Sequence, residues 1–180
     1  MRIVGGRWRG RRLAAVGAGD AAAHLRPTTD RVRESIFNLL LNSHGLDLDG
    51  ARVLDVFAGT GALGLEALSR GAAHATFVES GRAALAILRE NVALLEAPAT
   101  ILARDVRRIG AGTPHDLILL DPPYGKGMGE AALDALRAGG WLAPGATIMW
   151  EDGAAPRLPS FLSLADQRSY GGTVVTLATA

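Results

Sequence analysis

Four consecutive residues, Asp121, Pro122, Pro123 and Tyr124, have the chemistry needed to hold and orient an aromatic amino group. Such an amine is a poor nucleophile because its lone pair is delocalised into the ring. The carboxylate of Asp121 and the carbonyl of Pro122 can accept its two N–H bonds, and the two prolines fix φ so that the carbonyl keeps its direction. Tyr124 offers a ring face for stacking a base taken out of its helix. The alternative is a Pro-Pro turn with Tyr124 as packing.

The four residues follow an apolar run, residues 117–120, which is typical of a buried parallel strand. Open α/β sheets bind their ligands at the carboxyl ends of the strands. We therefore expect this tetrad, residues 121–124, to lie at the ligand-binding edge of a sheet.

A second motif lies upstream, where Gly59, Gly61 and Gly64 have G-x-G-x-x-G spacing between a predicted strand and a helix. Glycines there permit a tight turn and a close approach of the backbone to a ligand. The spacing alone is typical of dinucleotide sites, but Asp55 would repel a pyrophosphate. The same carboxylate suits a ligand that carries a cation, such as the ammonium or sulfonium of S-adenosylmethionine. We predict a site for that cofactor that includes Asp55, Phe57, Ala58, Gly59, Thr60 and Gly61.

Further acids end the predicted strands that follow. Glu79 stands near the spacing of a ribose-binding carboxylate, and Asp105 could receive an adenine amino group. A single acid of this kind would be explained by a helix N-cap or a solvated loop. Four successive strands that each end in an acid favour a shared binding edge.

The remaining pattern alternates strands with helices. We expect strands over 52–57, 75–79, 99–104, 116–121 and 147–151, helices over 61–70, 82–95 and 128–138, and a hairpin of 162–170 with 173–178. This predicts an α/β fold with a Rossmann-like, mostly parallel sheet and an antiparallel C-terminal edge strand. One domain of 180 residues is expected, with a basic β arm and loop over 1–24, an N-terminal helix within 25–50 and a core over 51–180.

Composition narrows the classes of function. There is no cysteine, the apolar runs are too short to span a membrane, and the start lacks a signal-peptide core, so a cytoplasmic protein is expected. The histidines show no ligand spacing and are expected at the surface or in loops: His24, His44, His74 and His115. We therefore predict no metal site.

The net charge is only +1, but residues 1–40 hold eight arginines against three acids. That surplus, with an aromatic residue among the arginines, is typical of a segment that grips phosphates and stacks on a base. We predict RNA contacts at Arg2, Arg7, Trp8, Arg9, Arg11, Arg12, Arg26, Arg31 and Arg33. A solvated edge strand protected by charge is the alternative. Residues 16–26, rich in Gly and Ala, are expected to form a mobile loop.

The chain resembles the RsmD family of bacterial methyltransferases, which modify guanine N2 in 16S ribosomal RNA. The resemblance rests on MRIVGGRWRGR at residues 1–11, LRPTTDRVRE at 25–34, DVFAGTGALGLEALSRGA at 55–72 and the tetrad. It implies a class I methyltransferase fold, S-adenosylmethionine as donor, and 16S ribosomal RNA in an assembled or partly assembled small subunit as substrate.

The resemblance assigns catalysis to the tetrad, which would present guanine N2 to the donor methyl group. Two alternatives remain open. One is another amino methyltransferase, such as one acting on adenine N6 in DNA or RNA, where the same tetrad occurs. The other is a non-catalytic, Rossmann-like RNA-binding module.

Overall fold

A seven-stranded sheet forms the centre of the computed structural model, which describes residues 1–15 and 29–180. The strands are β1 (Arg52–Val56), β2 (His74–Glu79), β3 (Ala99–Ala103), β4 (His115–Leu120), β5 (Leu142–Asp152), β6 (Ser163–Tyr170) and β7 (Thr173–Thr179). Their order across the sheet is β3-β2-β1-β4-β5-β7-β6. The first five strands are parallel, and β7 is antiparallel to both of its neighbours. The predicted Rossmann-like sheet with an antiparallel hairpin at one edge is confirmed.

In the described part of the chain, four α-helices accompany the sheet: α1 (Asp30–Asn38), α2 (Ala62–Ser69), α3 (Arg82–Leu94) and α4 (Met128–Ala138). A π-helical turn, Leu39–Ser43, continues α1, and a 3₁₀ turn, Val106–Arg108, follows β3. The predicted elements agree with these bounds to within two residues, except that β5 begins five residues earlier. None of the helices among the described residues is both long and apolar enough to cross a membrane.

The start of α1 shows why the chain becomes helical there. Thr29 has an extended backbone and its hydroxyl accepts the N–H of Val32 at 3.3 Å, which is the geometry of a helix N-cap. Thr29 therefore caps α1, which lies within the range expected for the N-terminal helix. The predicted mobile loop and Arg26 lie outside the described residues.

The strand order reverses between β1 and β4, since β2 and β3 lie on one side of β1 and β4 and β5 on the other. Apolar residues of α1, α2 and α3 fill one face of the sheet, and those of α4 fill the other. A reversal of this kind leaves a crevice at the carboxyl ends of the two central strands. The glycine loop, residues 57–61, and the tetrad enter this crevice from β1 and β4 respectively.

Residues 1–15, the N-terminal arm, fold back as a hairpin closed by one antiparallel bridge between Arg2 and Arg12. The predicted basic β arm takes the form of this hairpin, with its arginine-rich residues 7–10 in turns. The arm is docked on α2, all eight residues of which are buried. The Ser69 hydroxyl accepts the Trp8 N–H at 2.9 Å and donates to the Gly5 carbonyl at 2.6 Å, while the Ser69 carbonyl accepts the Arg7 N–H at 2.7 Å.

Gly6 marks the closest approach of the arm to α2. Its φ is +72°, and a Cβ built there would lie 1.8 Å from the Ser69 carbonyl oxygen. Gly10 has a similar φ of +84° with no atom within 4 Å of the built Cβ. A side chain at either position would be strained by the left-handed backbone, but only at Gly6 would it also collide with a neighbouring atom.

We expect Gly6→Ala to lower the free energy of unfolding by more than 2 kcal/mol, because the methyl group collides with backbone as well as straining φ. Gly10→Ala should cost only about 1 kcal/mol, which is roughly 2–4 °C in melting temperature for a domain of this size. Thermal unfolding of both variants checks this. Equal melting temperatures would show that the arm is not held against α2 as described.

Candidate active site

The tetrad lies directly beyond β4, whose last four residues are buried in the sheet. The Asp121 N–H points to the Val56 carbonyl at 3.4 Å, which keeps the tetrad beside the end of β1. Pro122 is buried, whereas Asp121 and Tyr124 are half-buried and Pro123 is exposed. The structure therefore brings the tetrad and the glycine loop to the same edge, as the order of motifs predicts.

The Tyr124 side chain contacts residues at the end of β5. Its hydroxyl lies 3.4 Å from a Glu151 carboxylate oxygen and 3.3 Å from the Thr173 hydroxyl. A Cβ built at Gly153 would lie 2.9 Å from the ring, so the absence of a side chain there makes room for it. The sequence reasoning missed these three contacts. Glu151 could have been found, because it ends a predicted strand as the other acids do.

Asp121 stands among other carboxyl groups. Burial raises its pKa well above the usual value, and the charges of Glu151, Asp55 and Asp152 raise it further. Burial also raises the pKa of Tyr124. A site surrounded by acids favours ligands that bring positive charge or N–H donors and disfavours a phosphate.

The glycine loop reverses the chain sharply at the end of β1. Phe57, Gly59 and Gly61 all have positive φ, at 59°, 56° and 81°, and Phe57 is one of two described non-glycine residues with this property. A Cβ at Gly61 would lie 2.5 Å from the Leu88 side chain on α3. The positive φ and the nearby Leu88 side chain both favour glycine at this position, and the predicted close approach of a ligand to Gly61 stays a prediction.

Glu79, at the end of β2, holds the glycine loop in place through a hydrogen bond. One carboxylate oxygen accepts the Gly59 N–H at 2.8 Å, and the other accepts the N–H groups of Ser80 and Gly81 at 2.7 and 2.6 Å. A carboxylate has about four acceptor positions. Ribose binding by Glu79 stays a prediction, and the side chain has a second, local task in holding Gly59.

Asp55 is almost completely buried, and one of its carboxyl oxygens accepts the Gly64 N–H in the first turn of α2 at 2.8 Å. Burial raises the pKa of Asp55 to about 8. A carboxyl group that is largely neutral at pH 7 carries less than the full negative charge that Asp55 was expected to offer to the ammonium or sulfonium of S-adenosylmethionine. The predicted cofactor contact stays untested, while support of the α2 start is observed.

Asp105 follows β3 and caps the short 3₁₀ turn by accepting the Arg107 N–H at 2.9 Å. The Arg107 guanidinium also donates to both carboxylate oxygens, and these bonds hold the pKa of Asp105 below its usual value. An adenine amino group would have to share this carboxylate with Arg107. The adenine contact stays a prediction.

His115 is fully buried, which corrects its assignment to the surface. Its ring nitrogens contact the Thr76 hydroxyl at 3.0 Å and the Thr113 carbonyl at 2.8 Å, and burial lowers its pKa. It lies at the amino end of β4, away from the tetrad. Within residues 1–15 and 29–180, no three His, Asp or Glu side chains are grouped so as to hold a metal ion.

Most of the predicted RNA contacts form an exposed basic surface on the arm and α1. Arg9, Arg12 and Arg31 are exposed, and Arg2 is exposed beside Asp30 at 3.2 Å. Arg11 donates to the Leu94 carbonyl at the end of α3 at 3.3 Å. Trp8 is half-buried against the core, and the Arg7 guanidinium lies 4.1 Å from its ring centroid.

Arg33 does not belong to this surface. Its side chain is fully buried, 2.8 Å from Asp30 and 3.5 Å from Glu66, and it also donates to the Arg2 carbonyl. The predicted RNA contact of Arg33 is wrong, because a guanidinium enclosed by two carboxylates within the fold cannot reach a phosphate. Its charge instead joins α1 to α2 and to the arm.

Comparison with known proteins gives a consistent assignment. The model of the family described as "Conserved hypothetical protein 95" matches residues 1–179. The chain is 42% identical over 177 residues to "Ribosomal RNA small subunit methyltransferase D" of Escherichia coli K12, covering 95% of this chain and 85% of the relative. It is 36% identical over 187 residues to "Putative rRNA methyltransferase YlbH" of Bacillus subtilis, covering 98% and 97%.

A solved structure from Escherichia coli named "Putative methyltransferase yhhF" superposes with a TM-score of 0.85 at 41% identity. The match covers 99% of this chain and 97% of that one. The fold is the class I methyltransferase fold, as the resemblance to the RsmD family implies.

The raised pKa of Asp55 makes stability depend on pH. Its folded-state pKa of about 8 exceeds the usual 3.8, so the folded protein holds a proton that the unfolded chain releases between these values. This contribution to stability is complete below pH 4 and is lost as the pH rises towards 8. We expect Asp55→Asn, which keeps an acceptor for Gly64, to stabilise the protein at pH 8 by on the order of a few kcal/mol.

Melting curves at pH 5 and pH 8 measure this effect, with exposed Asp134→Asn on α4 as the control. Asp55→Asn should flatten the decline in melting temperature between the two pH values, and Asp134→Asn should not. A decline that is unaltered in Asp55→Asn would show that Asp55 is charged throughout this range.

Proposed function

This chain belongs to the Conserved hypothetical protein 95 family, the RsmD family of the sequence resemblance, and we propose that it methylates small-subunit ribosomal RNA. The donor is S-adenosylmethionine and the acceptor is the exocyclic N2 amine of a guanine in 16S ribosomal RNA. The relatives' names support an RNA substrate and methyl transfer. The choice of guanine N2 rests on the tetrad and on the resemblance.

One observation carries the proposal: the tetrad and the glycine loop meet where the strand order reverses. Asp121 extends from β4 and Phe57 from β1, and these strands are direct neighbours in register. A methyl donor above β1 and an amine at Asp121 would therefore face each other across two adjacent strand ends. That juxtaposition is what direct transfer between two bound molecules requires.

The residues around β1 and β2 suit the chemistry of this cofactor. Glu79 would accept bonds from the ribose hydroxyls, and Asp105 one from the adenine amino group, while residues 57–61 would line its amino-acid part. The bound cofactor supplies an electrophilic methyl group on a sulfonium. The carboxylates beside Asp121, those of Glu151 and Asp152, form a setting that favours this positive charge.

The tetrad would prepare the nucleophile. Asp121 and the Pro122 carbonyl would accept the two N–H bonds of guanine N2, which directs the nitrogen lone pair towards the methyl group. N2 would form its bond to the methyl carbon as the carbon–sulfur bond breaks, with the electron pair of that bond left on sulfur. The methylated nitrogen would then lose a proton, which Asp121 would accept.

The arm would hold the RNA around the flipped base. Its exposed arginines lie on the side of the molecule that carries α1, whereas the strand ends carry acids. RNA phosphates would contact the arm, and one uncharged base would enter the acidic crevice. The substrate would be the assembled or partly assembled small subunit, in the cytoplasm where ribosomes form.

The decisive experiment identifies the product. We expect labelled S-adenosylmethionine to give N2-methylguanosine in 16S RNA, measured by nucleoside mass spectrometry on RNA, small subunits and DNA. Asp121→Ala should reduce turnover about a hundredfold or more, the scale expected when one positioned polar group is lost. Asp116→Ala, an exposed acid at the opposite end of the same strand, is the matched control.

Formation of N6-methyladenine would favour the other amino methyltransferase, and the absence of cofactor binding would favour the non-catalytic module. Near-normal turnover of Asp121→Ala would exclude the proposed bond to guanine N2. Similar losses in Asp121→Ala and Asp116→Ala would indicate damage to β4 instead of a missing contact.

The arm predicts a salt-dependent interaction. We expect Arg9→Ala and Arg12→Ala each to weaken RNA binding and to lower the slope of log K against log salt by somewhat less than one, for one lost phosphate contact. Arg52→Ala removes the same charge from the amino end of β1, where the guanidinium donates to Thr113 and is not part of the arm, and should leave the slope unchanged. Titration of 16S RNA fragments at several salt concentrations measures the slopes. Equal slopes in all variants would exclude the arm as a phosphate-binding surface.

A further inference from the structure

One buried side chain, Asn91 of α3, contacts both the end of the arm and the glycine loop. Its Nδ2 donates to the Ala14 carbonyl at 3.1 Å and to the Thr60 carbonyl at 3.0 Å. Its Oδ1 accepts the Ala14 N–H at 2.7 Å. Ala14 and Thr60 are distant in sequence, and this amide joins them through three hydrogen bonds.

The surroundings of Asn91 make these bonds mutually dependent. Asn91 is fully buried and occupies the apolar stripe of α3, in line with Leu85 and Leu88. A buried amide must keep its partners, since an unpaired buried donor or acceptor is costly. Displacement of the arm end would leave Asn91 partly unpaired and free to rotate away from Thr60.

Thr60 also meets the arm at a second point. Its hydroxyl lies 3.7 Å from the Met1 sulfur, and the Met1 carbonyl accepts the Leu13 N–H at 3.2 Å. Thr60 stands between Gly59 and Gly61, both in left-handed conformations. A loop with this backbone depends on contacts from outside to keep one arrangement.

We propose that Asn91 is a positioning residue that fixes Thr60 against the arm, so that cofactor affinity depends on the docking of the arm end. This inference rests on the proposed function, in which the glycine loop holds S-adenosylmethionine and the arm contacts RNA. Linkage is reciprocal: if docking of the arm strengthens cofactor binding, cofactor binding strengthens docking by the same factor. Asn91, which contacts neither substrate, would thereby couple the binding of S-adenosylmethionine to the position of the arm that contacts RNA.

Two substitutions test the link from opposite ends in the full chain. Asn91→Ala removes the amide, while Ala14→Pro removes the N–H that Asn91 accepts, fixes φ at that position and leaves the Asn91–Thr60 bond possible. Ala15→Pro places the same ring one residue later, keeps the Ala14 N–H and carbonyl, and is the matched control. Calorimetry measures S-adenosylmethionine and S-adenosylhomocysteine affinity without RNA, and melting curves record stability.

We expect Asn91→Ala and Ala14→Pro each to weaken cofactor binding roughly fivefold to tenfold, within the range of a typical coupling. The cofactor affinity of the double variant should be no lower than that of whichever single variant binds the cofactor less tightly. Both substitutions act through the same contact between the arm end and Thr60. Turnover at saturating cofactor should stay within about twofold of wild type while KM for the cofactor rises, as expected when only binding is affected. Ala15→Pro should bind as wild type does.

Wild-type affinity in Ala14→Pro would overturn the inference, whatever the result for Asn91→Ala. Additive losses in the double variant would overturn it as well, because they would place the two residues on separate paths. If Asn91→Ala fails to fold, Ala14→Pro alone decides. Failure of the wild-type chain to bind either cofactor form would overturn the proposed function, which distinguishes that outcome from the others.

Discussion

The buried carboxylate of Glu66 holds together the parts of the molecule that surround α2. It accepts the N–H groups of Val4 and Gly5 at 2.9 and 2.8 Å, contacts Arg70 at 2.7 Å and lies 3.5 Å from buried Arg33. A charge taken out of water is tolerated only when such partners surround it, and removal of one partner typically costs about 3–5 kcal/mol. The arm and α1 are therefore as much part of the fold as the sheet is.

The glycine loop depends on this arrangement, since α2 begins where the loop ends. Asp55 holds the first turn of the helix at Gly64, and Glu79 holds the loop at Gly59. Positive φ at Phe57 costs on the order of 1–3 kcal/mol, and neighbouring contacts must offset that cost. The acids at the ends of β1 and β2 thus stabilise the conformation of the glycine loop without a bound ligand.

The sequence predicts the sheet, the helices and the edge at which the motifs meet, because these follow from local patterns. Apolar runs define the strands, glycines define the turn after β1, and the tetrad must follow β4. The environment of a polar side chain does not follow in this way. Arg33 and His115 are buried because Glu66 and Thr76 face them from elements distant in sequence. Asn91 lies on an apolar stripe of α3, and no local pattern in the sequence predicts its hydrogen-bond partners.

Charge explains why the arm and the strand ends are separate surfaces. Burial and the charges of the neighbouring carboxyl groups raise the pKa of Asp121, and the crevice therefore repels further negative charge. A nucleic acid carries one charge for each phosphate, and these charges need a basic surface at a distance from the acids. Under the proposed function, the exposed arginines of the arm would provide it, while an uncharged base with N–H donors would suit the acids. Under the proposed function, the separation of the two surfaces therefore favours a base turned out of its helix over a base that remains between its neighbours.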